Sequence, residues 1–152
     1  MTGTGDRLAV VDGMLAAPFP EAETRTGGRR WSGQRWSGPG YHWCVLEASR
    51  DFWDDRSEEV VEAAEEEIGA AHDALVAALR ERWGDPRKVD LTPFAMGEAE
   101  SRNPQSLLAA YTLGMLVWRR PDGRWLAVAT GQADAEFPIV LLAAVGDGPV
   151  GA

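Results

Sequence analysis

The longest hydrophobic pattern in the chain predicts an amphipathic helix from about Arg56 to Trp83. Apolar residues recur there every three or four positions, the spacing that places them on one face of a helix. They are Val61, Ala64, Ile68, Ala71, Leu75, Leu79 and Trp83. Asp55 and Glu58 fit a capping box at its start, and Gly84 followed by Pro86 fits its end. Such a helix would be about 42 Å long, which exceeds the width of a small domain and predicts that one end projects.

Five other segments have the composition or alternation of β-strands. They are Tyr41–Ala48, Arg87–Leu91, Leu113–Arg119, Trp125–Thr130 and Phe137–Val145. Tyr41–Ala48 carries apolar bulk on both of its faces, so we expect it to be covered on both sides or to have a loop folded over one of them. Phe137–Val145 is apolar without alternation, which favours an interior strand covered on both faces, with a helix as the alternative. The Pro121-Asp122-Gly123 sequence predicts a tight turn that joins the third and fourth segments into a hairpin.

Short helices are predicted from about Asp6 to Ala16 and after Asn103, where Pro104 would occupy the first helical position. Together these elements predict an α+β fold with a mostly antiparallel sheet of about five strands. The long helix would pack on one face of that sheet. Tyr41–Ala48, the long helix and Arg87–Leu91 could also form a parallel unit. We expect a single domain over residues 1–152, with residues 146–152 as a frayed tail.

Charge divides the chain unevenly. The formal net charge is −9, but residues 24–40 hold four arginines and no acid, which leaves −13 for the remainder. A net negative protein is poorly suited to duplex DNA or to an anionic membrane, because both require a positive surface. The chain has 14 Arg and a single Lys alongside abundant Ala and Gly, a composition that suggests a high-GC bacterium.

The basic segment at 24–40 contains a short repeat, Arg30-Trp31-Ser32-Gly33 followed by Arg35-Trp36-Ser37-Gly38. Its glycines predict a loop or an irregular hairpin. Arg and Trp are enriched at protein interfaces, and exposed aromatics beside Arg can also stack single-stranded bases. The ordinary alternative is a loop whose tryptophans fold back onto the core. The candidate binding residues are Arg29, Arg30, Trp31, Arg35 and Trp36.

The acidic face of the long helix is a second candidate surface, represented by Glu62 and Glu66. Such faces are most often only solvated, but they can also attract a basic partner. Asp51 and Asp54, just before the helix, offer paired carboxylates whose spacing matches no defined metal-binding loop.

A pocket between the sheet and the long helix is a third candidate. His42, Cys44 and His72 are the only imidazole and thiol groups, and they could meet there with Trp43 and Trp118. One cysteine excludes a disulfide within the chain and a zinc site made of several thiolates. No phosphate-binding, hydrolase or zinc-protease motif occurs, so we predict no cofactor, metal site or catalytic residue.

In size and acidity the chain resembles the small α+β immunity or chaperone-like proteins of bacteria, a similarity of type that identifies no site. We therefore predict a non-enzymatic protein-binding module that docks a partner through the acidic helix face or the Arg/Trp loop. A small-molecule-binding protein or small enzyme is the alternative, and single-stranded nucleic acid binding is a weaker one. The N-terminus lacks a secretory pattern and the longest apolar run, 139–145, has seven residues, which predicts a cytoplasmic protein.

Overall fold

A computed structural model describes residues 3–28 and 30–151 of the chain. Its elements follow in this order: α1 (Thr4–Ala16), β1 (Thr24–Thr26), β2 (Arg35–Gly38), β3 (Tyr41–Ala48), α2 (Glu58–Trp83), β4 (Arg87–Asp90), α3 (Thr92–Ala95), α4 (Gln105–Ala109), β5 (Gly114–Arg119), β6 (Trp125–Gly131) and β7 (Val140–Gly146). The fold is α+β with one long helix, as predicted.

All the strands of the described residues join one sheet in the order β1-β2-β3-β7-β6-β5-β4, and every neighbouring pair is antiparallel. β7 lies in the middle, and each of its residues is buried. Because both of its faces are covered, this strand has no need of the polar alternation that marks a half-exposed strand. The interior strand expected near the C-terminus is therefore present.

The sheet separates two apolar layers. On one face α1 and α2 pack over Leu126, Leu141 and Val145, and the α2 residues Ile68, Leu75 and Leu79 are fully buried there. On the other face Trp43, Trp125 and Leu142 pack beneath the connection that contains α3 and α4. β3 contributes alternate side chains to both layers. His42 and Cys44 face α1 and α2, and Trp43 faces the opposite layer.

α2 begins two residues later than predicted. The carboxylate of Asp55 accepts a hydrogen bond from the amide of Ser57 at 2.9 Å, which forms a local turn before the helix. Ser57 becomes the N-cap without a side-chain hydrogen bond, so the capping box predicted for Asp55 and Glu58 is wrong. The helix ends as predicted, since Gly84 has φ +84° and its amide donates to the carbonyl of Arg80 at 2.8 Å.

The predicted count of about five strands is too low, because the segment at 24–40 forms β1 and β2. Its glycines argued against regular structure, but side-chain packing across the strands outweighs their low β-propensity. Trp36 lies opposite Trp43 with ring centroids 5.7 Å apart, and the Arg25 guanidinium stacks 3.6 Å from the Trp36 ring centre. A glycine at position 38 allows the close packing of β2 against Tyr41, since a Cβ there would approach the Tyr41 ring to 2.5 Å.

Two further expectations differ from the structure. β4 runs in the same direction as β3 but lies at the far edge with three strands between them, so the possible parallel pair does not form. Of residues 146–152, which were expected to fray, the described residues up to 151 are held against the sheet, and residue 152 lies outside the described part of the chain. The Trp125 indole N–H donates to the carbonyl of Gly148 at 2.9 Å, and the Gln105 amide donates to that of Pro149 at 2.7 Å.

No helix in the described part of the chain combines the length and the apolarity that a membrane span requires.

Candidate protein interface

Trp53 is an exposed aromatic side chain in a loop that is otherwise firmly attached to the fold. Its relative exposure is 62%, whereas Trp43, Trp118 and Trp125 are buried and the other tryptophans are half-buried. An isolated exposed apolar side chain is ordinary, but a tryptophan is the residue type that most often dominates binding energy at protein interfaces. Trp53 therefore marks a candidate interface on the surface of the protein.

The loop that carries Trp53 connects β3 to α2, and residues that precede Trp53 anchor it to the segment before β7. The amide of Ser49 donates to the carbonyl of Ile139 at 2.9 Å, and the amide of Phe52 donates to that of Glu136 at 2.9 Å. The Phe52 side chain is fully buried in the core layer beneath the long helices. Because the adjacent Phe52 is fixed in the core, the Trp53 side chain is held on the surface and does not pack into the core.

Three aromatic side chains from separate segments meet at this place. The Trp53 and Phe137 rings pack edge to face with centroids 6.0 Å apart, and Trp31 packs against Phe137 at 5.5 Å. We call Trp31, Trp53 and Phe137 the Trp53 patch. The Gln132 amide donates to the carbonyl of Phe137 at 2.8 Å, which fixes the loop under the middle ring.

Acidic side chains border the Trp53 patch. Asp51, Asp54, Asp55 and Asp134 are exposed, while Glu136 is half-buried and pairs with Arg56 at 3.4 Å. The hydrogen bonds from Ser57 hold the pKa of Asp55 below its usual value, so its carboxylate remains ionised. Among the described residues, Arg30, Arg50 and Arg56 offset three of these five carboxylates, which leaves the border net negative.

The residues predicted to form one Arg/Trp loop have two different roles. Trp31 belongs to the Trp53 patch, and Arg30 beside it is exposed. Trp36 and Arg35 are half-buried in β2, where Trp36 lies between the Arg25 guanidinium and the Trp43 ring. That packing leaves little ring surface on which a base could stack. Arg29 lies outside the described residues.

The predicted acidic helix face is present on the first three turns of α2. Glu62 and Glu66 are exposed on the side that faces away from the sheet. Since α2 begins five residues after Trp53, this acidic face continues from the border of the Trp53 patch.

The five predicted pocket residues lie at separate positions. His42 and Cys44 face α1, Trp43 is on the opposite side of the sheet, and Trp118 donates from its indole to the carbonyl of Gly84 at 2.9 Å. His72 borders a different groove, between α2 and β5. The structure therefore does not bring these residues together into one pocket.

Two of these residues have structural partners that explain their chemistry. The Ala17 carbonyl can only accept, so His42 Nε2 donates to it at 3.1 Å and Nδ1 accepts the Ser37 hydroxyl at 2.6 Å. Burial is the main cause that lowers the pKa of His42. Burial also raises the pKa of the Cys44 thiol to about 12, and its Sγ lies 3.3 Å from Met14 Sδ. This thiol is not a nucleophile near neutral pH, because the reactive thiolate is not formed.

Trp53 is the candidate interface residue that sequence reasoning did not single out. The available signal was its position: it lies after a strand, outside the apolar stripe of the following helix, and between Asp51 and Asp54. A tryptophan flanked by acids in a connecting segment has no periodic reason to be buried. Trp31 and Phe137 pack against one another although they are far apart in the chain. Neither residue has a local sequence pattern that would predict this contact.

Within residues 3–28 and 30–151, no group of three or more His, Cys, Asp or Glu side chains is arranged to hold a metal ion. Comparisons with models of protein families, with curated proteins and with solved structures found no match to this chain.

Proposed function

We propose that this protein is a protein-binding module that docks a basic segment of a partner protein on the Trp53 patch. The observation that carries the proposal is the 62% exposure of Trp53 on a loop whose neighbouring residue, Phe52, is fully buried. A large rigid side chain that is presented in advance loses little conformational entropy when a partner covers it. Trp53 would be the central anchor of the interface.

The chemistry of the partner follows from the border of the Trp53 patch. The carboxylates of Asp51, Asp54 and Asp55, together with the exposed acidic face of α2, favour arginine and lysine side chains around an apolar contact. Exposed charges of this kind raise the association rate and select the partner more than they add affinity. Binding should therefore weaken as the ionic strength rises.

The engagement of His42 and Cys44 in the core supports a binding role over a catalytic one, since neither presents a reactive atom to solvent. A small acidic module with an exposed anchor suits the immunity or chaperone-like type of protein. The cytoplasm is the proposed compartment, where a buried unpaired thiol remains reduced.

The test compares Trp53→Ala with Met96→Ala as bait in a lysate of the organism that encodes the protein. Met96 is 68% exposed but lies after α3, away from the Trp53 patch, so it is a matched exposed apolar control. Truncating a central tryptophan costs about 2 kcal/mol or more, roughly a thirtyfold loss of affinity. We expect wild type and Met96→Ala to retain the same stoichiometric protein, and Trp53→Ala to lose it.

Two further measurements make the result decisive. Thermal unfolding of Trp53→Ala should match wild type, because an exposed side chain contributes little to stability. The double variant Asp51→Asn with Asp54→Asn should bind the purified partner more slowly at low salt. Equal retention by Trp53→Ala and wild type, or retention of unrelated basic proteins to the same extent, would overturn the proposal.

A further inference from the structure

The side of the sheet that faces the long helices is incompletely covered near β5. α2 packs mainly over β3, β7 and β6, and the strands beyond β6 extend past it. Leu116 on β5 is only half-buried and Gly114 is exposed, although both lie on the same face as the buried Trp118. The space between α2 and these strands is a groove of about 380 Å³, which we call the α2–β5 groove.

The floor of the α2–β5 groove is apolar and partly empty. Leu116 lines it from β5 with its side chain half-buried, and the fully buried Val128 lies beneath it on β6. Gly114 leaves a gap, because a Cβ built there would meet only the carbonyl oxygen of Val89, at 3.9 Å. Small-molecule sites typically combine such an apolar surface with a few polar groups, in volumes of about 300–1,000 Å³.

The walls of the groove carry donor groups. Lys88 lies opposite Leu116 in the β4–β5 pair and therefore shares its face. His72 lines the groove from α2, and Thr112 and Thr130 add hydroxyls. None of the described residues that line the groove is acidic, and Asp73, which contacts His72 at 3.2 Å, is 84% exposed and lies outside it. A locally basic groove is unexpected on a chain of net charge −9.

We propose that the α2–β5 groove binds a small amphipathic carboxylate. The apolar body of the ligand lies on Leu116, in the gap at Gly114, and its carboxylate pairs with the Lys88 ammonium. A charge-assisted contact at one end and apolar burial at the other select against neutral and cationic molecules of the same length. This inference does not depend on the Trp53 patch.

Calorimetric titration of the full chain with octanoate, octanol and octylammonium tests the proposal. We expect octanoate to bind at least tenfold more tightly than either analogue. Lys88→Met keeps an apolar stem but removes the charge, so it should reduce octanoate binding about tenfold and leave octanol unchanged. An equal affinity for octanoate and octanol in wild type would overturn the proposed role of Lys88.

Gly114→Val tests the location, because it fills the gap at a residue whose backbone tolerates a side chain. Gly13→Ala in α1, where an added Cβ meets nothing within 4 Å, is the matched control. Gly114→Val should abolish octanoate binding while its thermal unfolding stays near wild type, and Gly13→Ala should bind normally. Unchanged binding by Gly114→Val, or no octanoate binding by wild type, would refute the site. Normal octanoate binding by Trp53→Ala would show that ligand binding in the groove is independent of the proposed interface at Trp53.

Discussion

At the scale of single residues, His42 shows how a potentially catalytic group becomes structural. Its Nε2 donates to the carbonyl of Ala17 just after α1, and its Nδ1 accepts from Ser37 on the neighbouring strand. The Phe19 ring packs against it at 4.9 Å. Nε2 therefore joins the end of α1 to the sheet and Nδ1 joins β3 to β2, and this role requires the neutral ring.

The stability of the protein should fall as the pH is lowered through the range in which His42 titrates. Burial, and then the positive charges of Arg124 and Arg35, lower the pKa of folded His42 below 6.5, although the bond to Ala17 opposes them. The unfolded chain therefore binds a proton more readily, so stability present above pH 6.5 is lost below it. Urea unfolding at about pH 7 and pH 5 measures this loss.

His42→Gln should lose less stability than wild type over that interval, because glutamine does not titrate. His72→Gln is the matched control, since His72 is partly exposed on α2 and has no comparable buried contact. An unchanged pH dependence in His42→Gln would show that another group causes the acid sensitivity.

Tryptophans show why the residue type alone does not decide a role. Trp125 is buried and donates to the C-terminal tail, Trp36 stacks with Arg25, and Trp53 is exposed. The same large apolar ring serves in the core, in a cross-strand pair and at a candidate interface. Only the neighbours supplied by distant segments distinguish these cases.

At the scale of elements, α1 depends on another element to complete its C-terminus. Its last turn contains no basic residue, although the carbonyls at a helix C-terminus favour a positive charge. Arg124, in the turn between β5 and β6, donates to the carbonyls of Met14, Leu15 and Ala17 at 3.2, 3.1 and 2.7 Å. The two N–H groups of Arg124 Nη1 are thus shared among three acceptors, and they attach α1 to the β5–β6 hairpin.

Arg124→Met should destabilise the protein by about 1.5–3 kcal/mol, the usual range for hydrogen bonds to a charged group. Arg119→Met in the same hairpin is the control, because Arg119 is exposed and we expect a change within about 0.5 kcal/mol. Urea unfolding measures both values. A loss no larger in Arg124→Met than in Arg119→Met would contradict the proposed capping of α1.

Elements whose structure depends on neighbouring residues in the chain were predicted more accurately than elements that depend on distant contacts. α2 and the β5–β6 hairpin were predicted nearly to the residue, since helical periodicity and the turn at Gly123, with φ +89°, are local. β1 and β2 were not assigned as strands, because the glycines of segment 24–40 are a local signal against strands. The Trp36–Trp43 packing that orders β2 depends on a contact between strands and has no local signal.

At the scale of the whole molecule, the C-terminal tail joins parts of the second face. It follows the central strand β7 and lies over the layer formed by Trp125 and the α3–α4 connection. Gly148, Pro149 and Gly151 accept hydrogen bonds from Trp125, Gln105 and Arg102 respectively. Val150 packs into the same apolar layer.

Truncation after Gly146 should reduce the free energy of unfolding by roughly 2–4 kcal/mol, because it leaves buried donors on Trp125 and Gln105 without acceptors. Asp147→Ser, which changes only an exposed side chain of the tail, should remain close to wild type. Denaturant unfolding of the two variants measures the difference. A truncated protein as stable as Asp147→Ser would support the frayed tail that composition suggested.

The sequence by itself determined the α+β class, the long helix with its apolar stripe, the hairpin turn and the interior strand, because each depends on near neighbours in the chain. It also located the charge excess on α2. Only the tertiary structure decided that His42 and Cys44 are buried apart from His72, that Trp31 joins Trp53, and that Lys88 faces an open groove. Those outcomes depend on strand order and on contacts between distant segments, where many arrangements satisfy the same hydrophobic pattern.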